Sequence, residues 1–151
     1  MDNKRIVSIL NDLVRINSAS IAGYETAADH AHDLKLVELC HAFAAERETF
    51  IESLNHKLII LGAKPEERFS VLGKLHRWLI DFRTLVQSVG DEVIITECLR
   101  GDEVAMQHYM DGMALNLPDD YHNLLLSHYK TIKESNIRLS RFSETLKVVE
   151  R

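Results

Sequence analysis

Two acids stand where a helical core would place leucine. Glu46 falls in the middle of an apolar stripe made by Leu36, Leu39, Phe43, Phe50, Leu54, Leu58 and Leu61, which follows helical spacing along one face. Asp102 interrupts a second stripe of Ile95, Leu99, Met106, Tyr109 and Met113. A carboxylate on a buried face is costly unless it is paired, protonated or bound to a metal. Acid–base chemistry or metal ligation is therefore the first function to look for at these positions.

Two further stripes carry polar interruptions, Asn17 with Ser20 and Ser135 with Asn136. Their levels follow from the helical rise of about 1.5 Å per residue. Counted from a turn near His32, Asn17 lies fifteen residues back and Glu46 fourteen residues on. Counted from Leu117, Asp102 lies fifteen residues back, with Lys133 and Asn136 sixteen and nineteen residues on. Four helices would then each give a polar group to one mid-bundle layer, the construction used by di-metal carboxylate bundles. In this arrangement Glu46 and Asp102 face each other through hydrogen bonds, with Tyr24, Asn17, Ser20 and Asn136 as polar neighbours.

The elements that would position this layer are delimited by two prolines, Pro65 and Pro118, where helical periodicity breaks. A first helix is expected from about Asn3 to Asp29 and, after a short connection around His30 to Asp33, a second through the stretch from Leu36 to Leu61, ended by Gly62 and Pro65. The short connection makes the two antiparallel neighbours. A shorter amphipathic piece, Phe69 to Val86, presents an apolar face wider than one bundle contact requires. It is expected to pack across the bundle or to form a dimer contact. A third long helix runs from about Glu92 to Leu115, with Asp91 as its N-cap, and a fourth from about Asp119 toward Val149. No alternating β-branched run reads as a strand.

Composition agrees with one all-α domain over residues 1–151. The chain is 46% hydrophobic, enough for a single core at this length. A formal charge of −5 and a pI near 5.9 argue against nucleic-acid binding, which needs clustered Lys and Arg on one face. No uncharged apolar run approaches the roughly 20 residues that span a bilayer, and the N-terminus lacks a signal-type apolar core. A cytoplasmic location without a membrane partner is expected. Cys40 and Cys98 have no metal-ligand spacing and read as reduced, buried thiols.

The residues resemble the ferritin-like superfamily, and within it small bacterial four-helix-bundle proteins without an assigned reaction. The resemblance rests on Gly23-Tyr24 with Ala27-Ala28, Glu46-Arg47 with Phe50 and Leu54, Leu72-Gly73 with Leu75-His76-Arg77, and Cys98 with Arg100-Gly101-Asp102-Glu103. It implies an antiparallel four-helix bundle of two hairpins, with an additional short helix between the second and third long helices. Iron-binding members carry a Glu on the first and third helices and Glu-x-x-His on the second and fourth. Here Asn17 stands at the first position, Thr49 replaces the second-helix His, Asp102 is similar to the third-helix acid, and Lys133 and Asn136 occupy the fourth-helix positions. Two acids and no histidine remain, too few to hold a pair of irons. On this resemblance, Glu46 and Asp102 are expected to be the remnant of a di-metal site.

Other constellations are weaker. A literal Glu38-x-x-His41 shares one helix face but lies off the apolar stripe, about two turns from Glu46. Glu25, Glu97 and Glu103 read as solvated surface, and Tyr109 and Tyr129 as core. The eight histidines are scattered, with His30 and His32 near the first turn. His108 precedes Gly112 as in a phosphotransfer bundle, but Asp111 stands where such bundles place a phosphate-balancing lysine. No Gly-rich phosphate loop occurs, and no catalytic triad can be assembled from spacing. The reading leans away from an enzyme. It favours an interaction or stress-associated bundle, dimeric through Phe69–Val86, with no cofactor. The alternative is an iron or manganese redox or storage protein with non-standard ligands.

Overall fold

The computed structural model describes residues 1–64 and 73–150. Among the described residues five α-helices follow in order: α1 (Asn3–His30), α2 (Leu34–Ile60), α3 (Gly73–Leu85), α4 (Asp91–Ala114) and α5 (Asp119–Glu150). A 3-10 turn, Val86–Ser88, links α3 to α4. No strand occurs among the described residues. Pro65, Val71 and Leu72 lie outside them, as does the Phe69 end of the segment assigned to a dimer contact.

The helix ends are set by local chemistry. Asp2 caps α1 by accepting the Arg5 amide at 2.9 Å, and Asp33 caps α2 by accepting from Lys35 and Leu36, which offsets the unpaired amides of a first turn. At the other end of α2, Gly62 takes φ +78°. Its amide reaches the Ile59 carbonyl and the Ala63 amide reaches Leu58, each at 2.9 Å. This is the Schellman closure that glycine allows because it has no Cβ to clash at positive φ.

Asp91 departs from its expected role as N-cap. Gly90 holds that position without a side-chain bond. The Asp91 carboxylate instead accepts the His32 and Asp33 amides, both at 2.9 Å. It ties the α1–α2 turn to the start of α4, a use no local pattern could specify.

The hairpins α1–α2 and α4–α5 pack with α1 against α4 and α2 against α5. Leu10, Leu13, Leu36, Phe43, Leu54, Ile95, Leu125, Ile132 and Leu139 fill the shared core, and burial of such side chains supplies the main driving force. Helix α3 lies across α1, turning Leu79 and Phe82 inward. Trp78 stacks on Phe82 at 5.4 Å and seats on two backbones. A Cβ on Gly23 would lie 2.9 Å from the indole, and one on Gly101 would lie 3.5 Å away. Among the described residues of this segment, Leu79, Phe82 and Val86 are buried within the chain, while Ile80 and Leu85 face outward.

Candidate functional site

Helical arithmetic places Arg47, not Glu46, at the centre of the α2 stripe, because position 47 is four residues after Phe43 and three before Phe50. Arg47 is 0% exposed. Its Nη2 donates to Asp102 Oδ1 at 3.3 Å, and its Nη1 lies 3.8 Å from Glu46 Oε1. The guanidinium carbon is 5.5 Å from the Phe50 ring centre and 5.9 Å from that of Tyr24, distances at which aromatic faces attract a cation. Arg47 Nε and Nη1 have no hydrogen-bond partner.

Asp102, on α4, is 1% exposed. Its Oδ2 accepts the Tyr24 hydroxyl at 2.6 Å, a short charge-assisted bond. Burial raises the Asp102 pKa against the opposing pull of Arg47, Tyr24 and Asn136. Burial, and then the Asp102 charge, push the Tyr24 hydroxyl well above its ordinary value. Tyr24 therefore stays a hydrogen-bond donor and Asp102 its acceptor.

Glu46 does not meet Asp102 as the layer arithmetic anticipated. Arg47 stands between the two acids, and Glu46, with its side chain 30% exposed, turns toward α5. There Ser135 Oγ lies 2.8 Å from Glu46 Oε1 and 2.9 Å from the Thr131 carbonyl. One hydroxyl proton serves one acceptor at a time. Asn136 donates to the Leu99 carbonyl at 3.4 Å. Thr49 and Lys133 are exposed and take no part, since neighbouring positions on their helices carry the inward face.

A second tier holds Asn17, Tyr109 and His128. Asn17 Nδ2 donates to the Leu13 carbonyl and to the Tyr109 hydroxyl, both at 2.9 Å. The Tyr109 oxygen lies 2.8 Å from His128 Nδ1. Having accepted from Asn17, Tyr109 gives its proton to His128, which must be neutral to receive it. The His128 pKa agrees: burial, aided by the Arg47 charge, lowers it to about 4. Burial raises that of Tyr109. His128 also stacks on Phe50 at 4.1 Å.

Sequence reading placed Tyr109 in the core without its hydrogen bonds and left His128 among scattered histidines. The signal was a gap in the α5 stripe between Leu125 and Ile132, which position 128 fills. Of the remaining candidates, Glu25, Glu38, His41 and Glu103 are exposed, and Glu97 pairs with Arg100 at 3.6 Å. His30 contacts the Thr26 carbonyl, and His32 lies beside Asp91. Cys40 and Cys98 are free and buried. Contact with Cys40, then burial, raises the Cys98 thiol well above its ordinary pKa, so neither geometry nor acidity makes it a nucleophile.

A family model described as "Domain of unknown function (DUF2383)" matches residues 5–114. The chain belongs to this family. A comparison with curated proteins gave no match. Among solved structures, the chain is similar to a two-domain protein from Anabaena variabilis ATCC 29413 containing DJ-1/ThiJ/PfpI-like and ferritin-like domains. The TM-score is 0.79 at 18% identity, covering 97% of this chain and 38% of that one. At that identity the likeness carries the fold, which is ferritin-like, and the chain spans well under half of that protein. No helix among the described residues is long and apolar enough to cross a membrane.

These side chains do not fit the superfamily's di-iron centre. Its place at mid-bundle is taken by a guanidinium with one carboxylate on each side. Among the described residues no group of three or more His, Cys, Asp and Glu is arranged to hold a metal. Iron pairs need bridging acids backed by histidines, and the buried His128 gives Nδ1 to Tyr109 instead.

Proposed function

We propose that this protein is a metal-independent ferritin-like bundle working as an interaction or stress-associated module, in which an encoded cation, Arg47, replaces the ions of its metal-binding relatives. The observation that supports this reading is the fully buried guanidinium beside Asp102 and Glu46. Its single positive charge offsets that of Asp102, the acid that cannot reach water. A divalent ion about 4 Å from such a fixed charge meets a repulsion of about 8 kcal/mol at an effective dielectric of 20. Glu46 and Asp102 are then the remnant of a di-metal site, with Asn17, Tyr24 and Asn136 serving packing specificity. Self-association through the segment ending at Val86 belongs to the same reading, supported by the outward Ile80 and Leu85.

The test is elemental analysis of purified protein together with thermal unfolding in the presence of ferrous and manganous ions. Less than about one tenth of an ion per chain and an unchanged midpoint are expected, because a ligand that does not bind the native state cannot stabilise it. Stoichiometric metal that is lost in Asp102→Asn overturns the reading. That result would support the iron or manganese redox or storage role with non-standard ligands.

A further inference from the structure

The two hairpins are joined to each other by directional bonds. Tyr24 donates to Asp102 at 2.6 Å, Asn17 to Tyr109 at 2.9 Å, and the Asp33 amide to Asp91 at 2.9 Å. Helix α3 is held differently. Among the described residues no hydrogen bond or ion pair ties it to another helix, and the Thr84, Gln87 and Ser88 side chains bond only within α3 and its 3-10 turn. What keeps it on α1 is apolar: Leu79 and Phe82 are buried, and Trp78 rests on Gly23 and Gly101. Apolar burial is non-directional. A helix held by it alone can leave its seat without first breaking a polar bond to the bundle.

The seat is also incompletely filled. A cavity of about 690 Å³ remains between α1 and α4 beneath Leu75 and Trp78, with Cys98 in its lining. Side chains that border a void lack partner atoms on that side, and local opening costs least where buried contacts are fewest. At one end of this cavity Trp78 stands over Tyr24 and Asp102, which are 3% and 1% exposed. The connection to α4 suits a pivot. Val89 (φ −126°, ψ 163°) and Gly90 (φ −86°, ψ 175°) are extended, and a Cβ on Gly90 would meet nothing within 4 Å. The next residue, Asp91, is fixed by the His32 and Asp33 amides. Hinges are built from such short runs at the ends of elements.

We propose that α3 is a lid over the Tyr24–Asp102 pair, pivoting on Val89 and Gly90 while both hairpins stay folded, so that water reaches the buried acid only when Trp78 leaves Gly23 and Gly101. The motion governs access to Asp102 and is separate from metal binding beside Arg47; either reading can fail alone. Cys98 lies in the same cavity and is 6% exposed. Its labelling therefore reports the opening independently of the α3 backbone.

Native-state hydrogen exchange of the full chain, read by mass spectrometry in increasing sub-denaturing urea, measures opening helix by helix. The α3 amides should open at least about a hundredfold more often than those near Ala27 and Ile95, with a weaker urea dependence, since a lid exposes less surface than unfolding does. Two variants separate lid from bundle. Ile132→Val removes a methyl group from a fully buried position on α5 and weakens the open and closed forms alike. Exchange near Ala27 and Ile95 should rise about 2- to 12-fold, with α3 unchanged. Gly23→Ala disturbs the indole seat and should raise α3 exchange at least about fivefold, with iodoacetamide labelling of Cys98 rising by the same factor. Should Gly23→Ala fail to fold, the wild type and Ile132→Val decide. Equal opening constants and urea slopes for α3 and the amides near Ile95, α3 exchange that rises with Ile132→Val, or Cys98 labelling that does not follow α3 in folded Gly23→Ala overturns the proposal.

Discussion

Replacing Arg47 with methionine keeps an unbranched apolar stem while removing the cation from the middle of the bundle. In the wild type the guanidinium is 0% exposed and reaches Asp102 at 3.3 Å and Glu46 at 3.8 Å. Glu46 can turn to water, but Asp102 cannot. Without Arg47 it keeps the Tyr24 bond and the contact with Asn136, but no opposing charge. Breaking one side of a buried pair costs about 3–5 kcal/mol, because the remaining charge is stranded. For a domain of this size that lowers the unfolding midpoint by about 6–20 °C. Removing both partners, as Arg47→Met with Asp102→Leu, should return stability to within about 1 kcal/mol of wild type or above it.

The pH dependence sharpens this expectation. The Asp102 pKa is already raised by burial, and losing Arg47 raises it further. An acid with a raised native pKa contributes stability that is present below its unfolded value and is lost as pH rises through the native one. Arg47→Met should therefore lose most at neutral and alkaline pH and least near pH 4. Urea unfolding followed by far-ultraviolet circular dichroism, run as a double-mutant cycle at several pH values, measures both effects. A coupling energy within about 0.5 kcal/mol of zero, or a single-variant loss that does not change with pH, would refute a stabilising Arg47–Asp102 pair.

His128 makes the opposite contribution. Its pKa falls from 6.5 to about 4, so its stabilising effect is complete above pH 6.5 and is lost as pH falls through 4, amounting to about 3 kcal/mol. His128→Gln should flatten that part of the urea-midpoint profile, and an unchanged slope assigns the loss to other groups. Gly23→Ala puts a methyl group 2.9 Å from the Trp78 indole. It should cost about 1–3 kcal/mol and shift tryptophan emission to the red, with an unshifted spectrum counting against the tight seat. Ile80 is 47% exposed, and Ile80→Glu should convert a sedimenting dimer to monomer with unchanged circular dichroism. A wild-type chain that sediments as monomer at tens of micromolar, where weak homodimers persist, removes this segment as an interface.

The fold was legible because periodicity and punctuation agreed. The stripes through Leu10 and Leu13, Phe43 and Leu54, Ile95 and Leu99, and Leu125 and Ile132 marked four long helices, and Gly62 marked the end of α2. The site was legible only in its level along the bundle. Counting residues from the turns placed Asn17, Glu46, Asp102, Lys133 and Asn136 near mid-bundle, but a level fixes height and not rotation. Glu46 and Arg47 differ by one position, about 100° around the helix axis, and the more costly residue to bury proved to be the one inside. Nothing local distinguished them, because the buried cation is stabilised by Asp102, fifty-five residues away. The Asn17–Tyr109–His128 chain was hidden for the same reason, since its members come from α1, α4 and α5.

The Asp91 carboxylate gives the molecule a direction. By holding two amides of the α1–α2 turn, it fastens the two hairpins together at one end, where Lys147 and Glu92 also approach to 3.9 Å. At the far end the Lys57–Asp120 contact of 3.6 Å is open to water, and such contacts contribute little. Local opening should therefore start at the far end and travel toward Asp91. Amide hydrogens near Ile6 and Leu58 would exchange before those near Ala27 and Ile95.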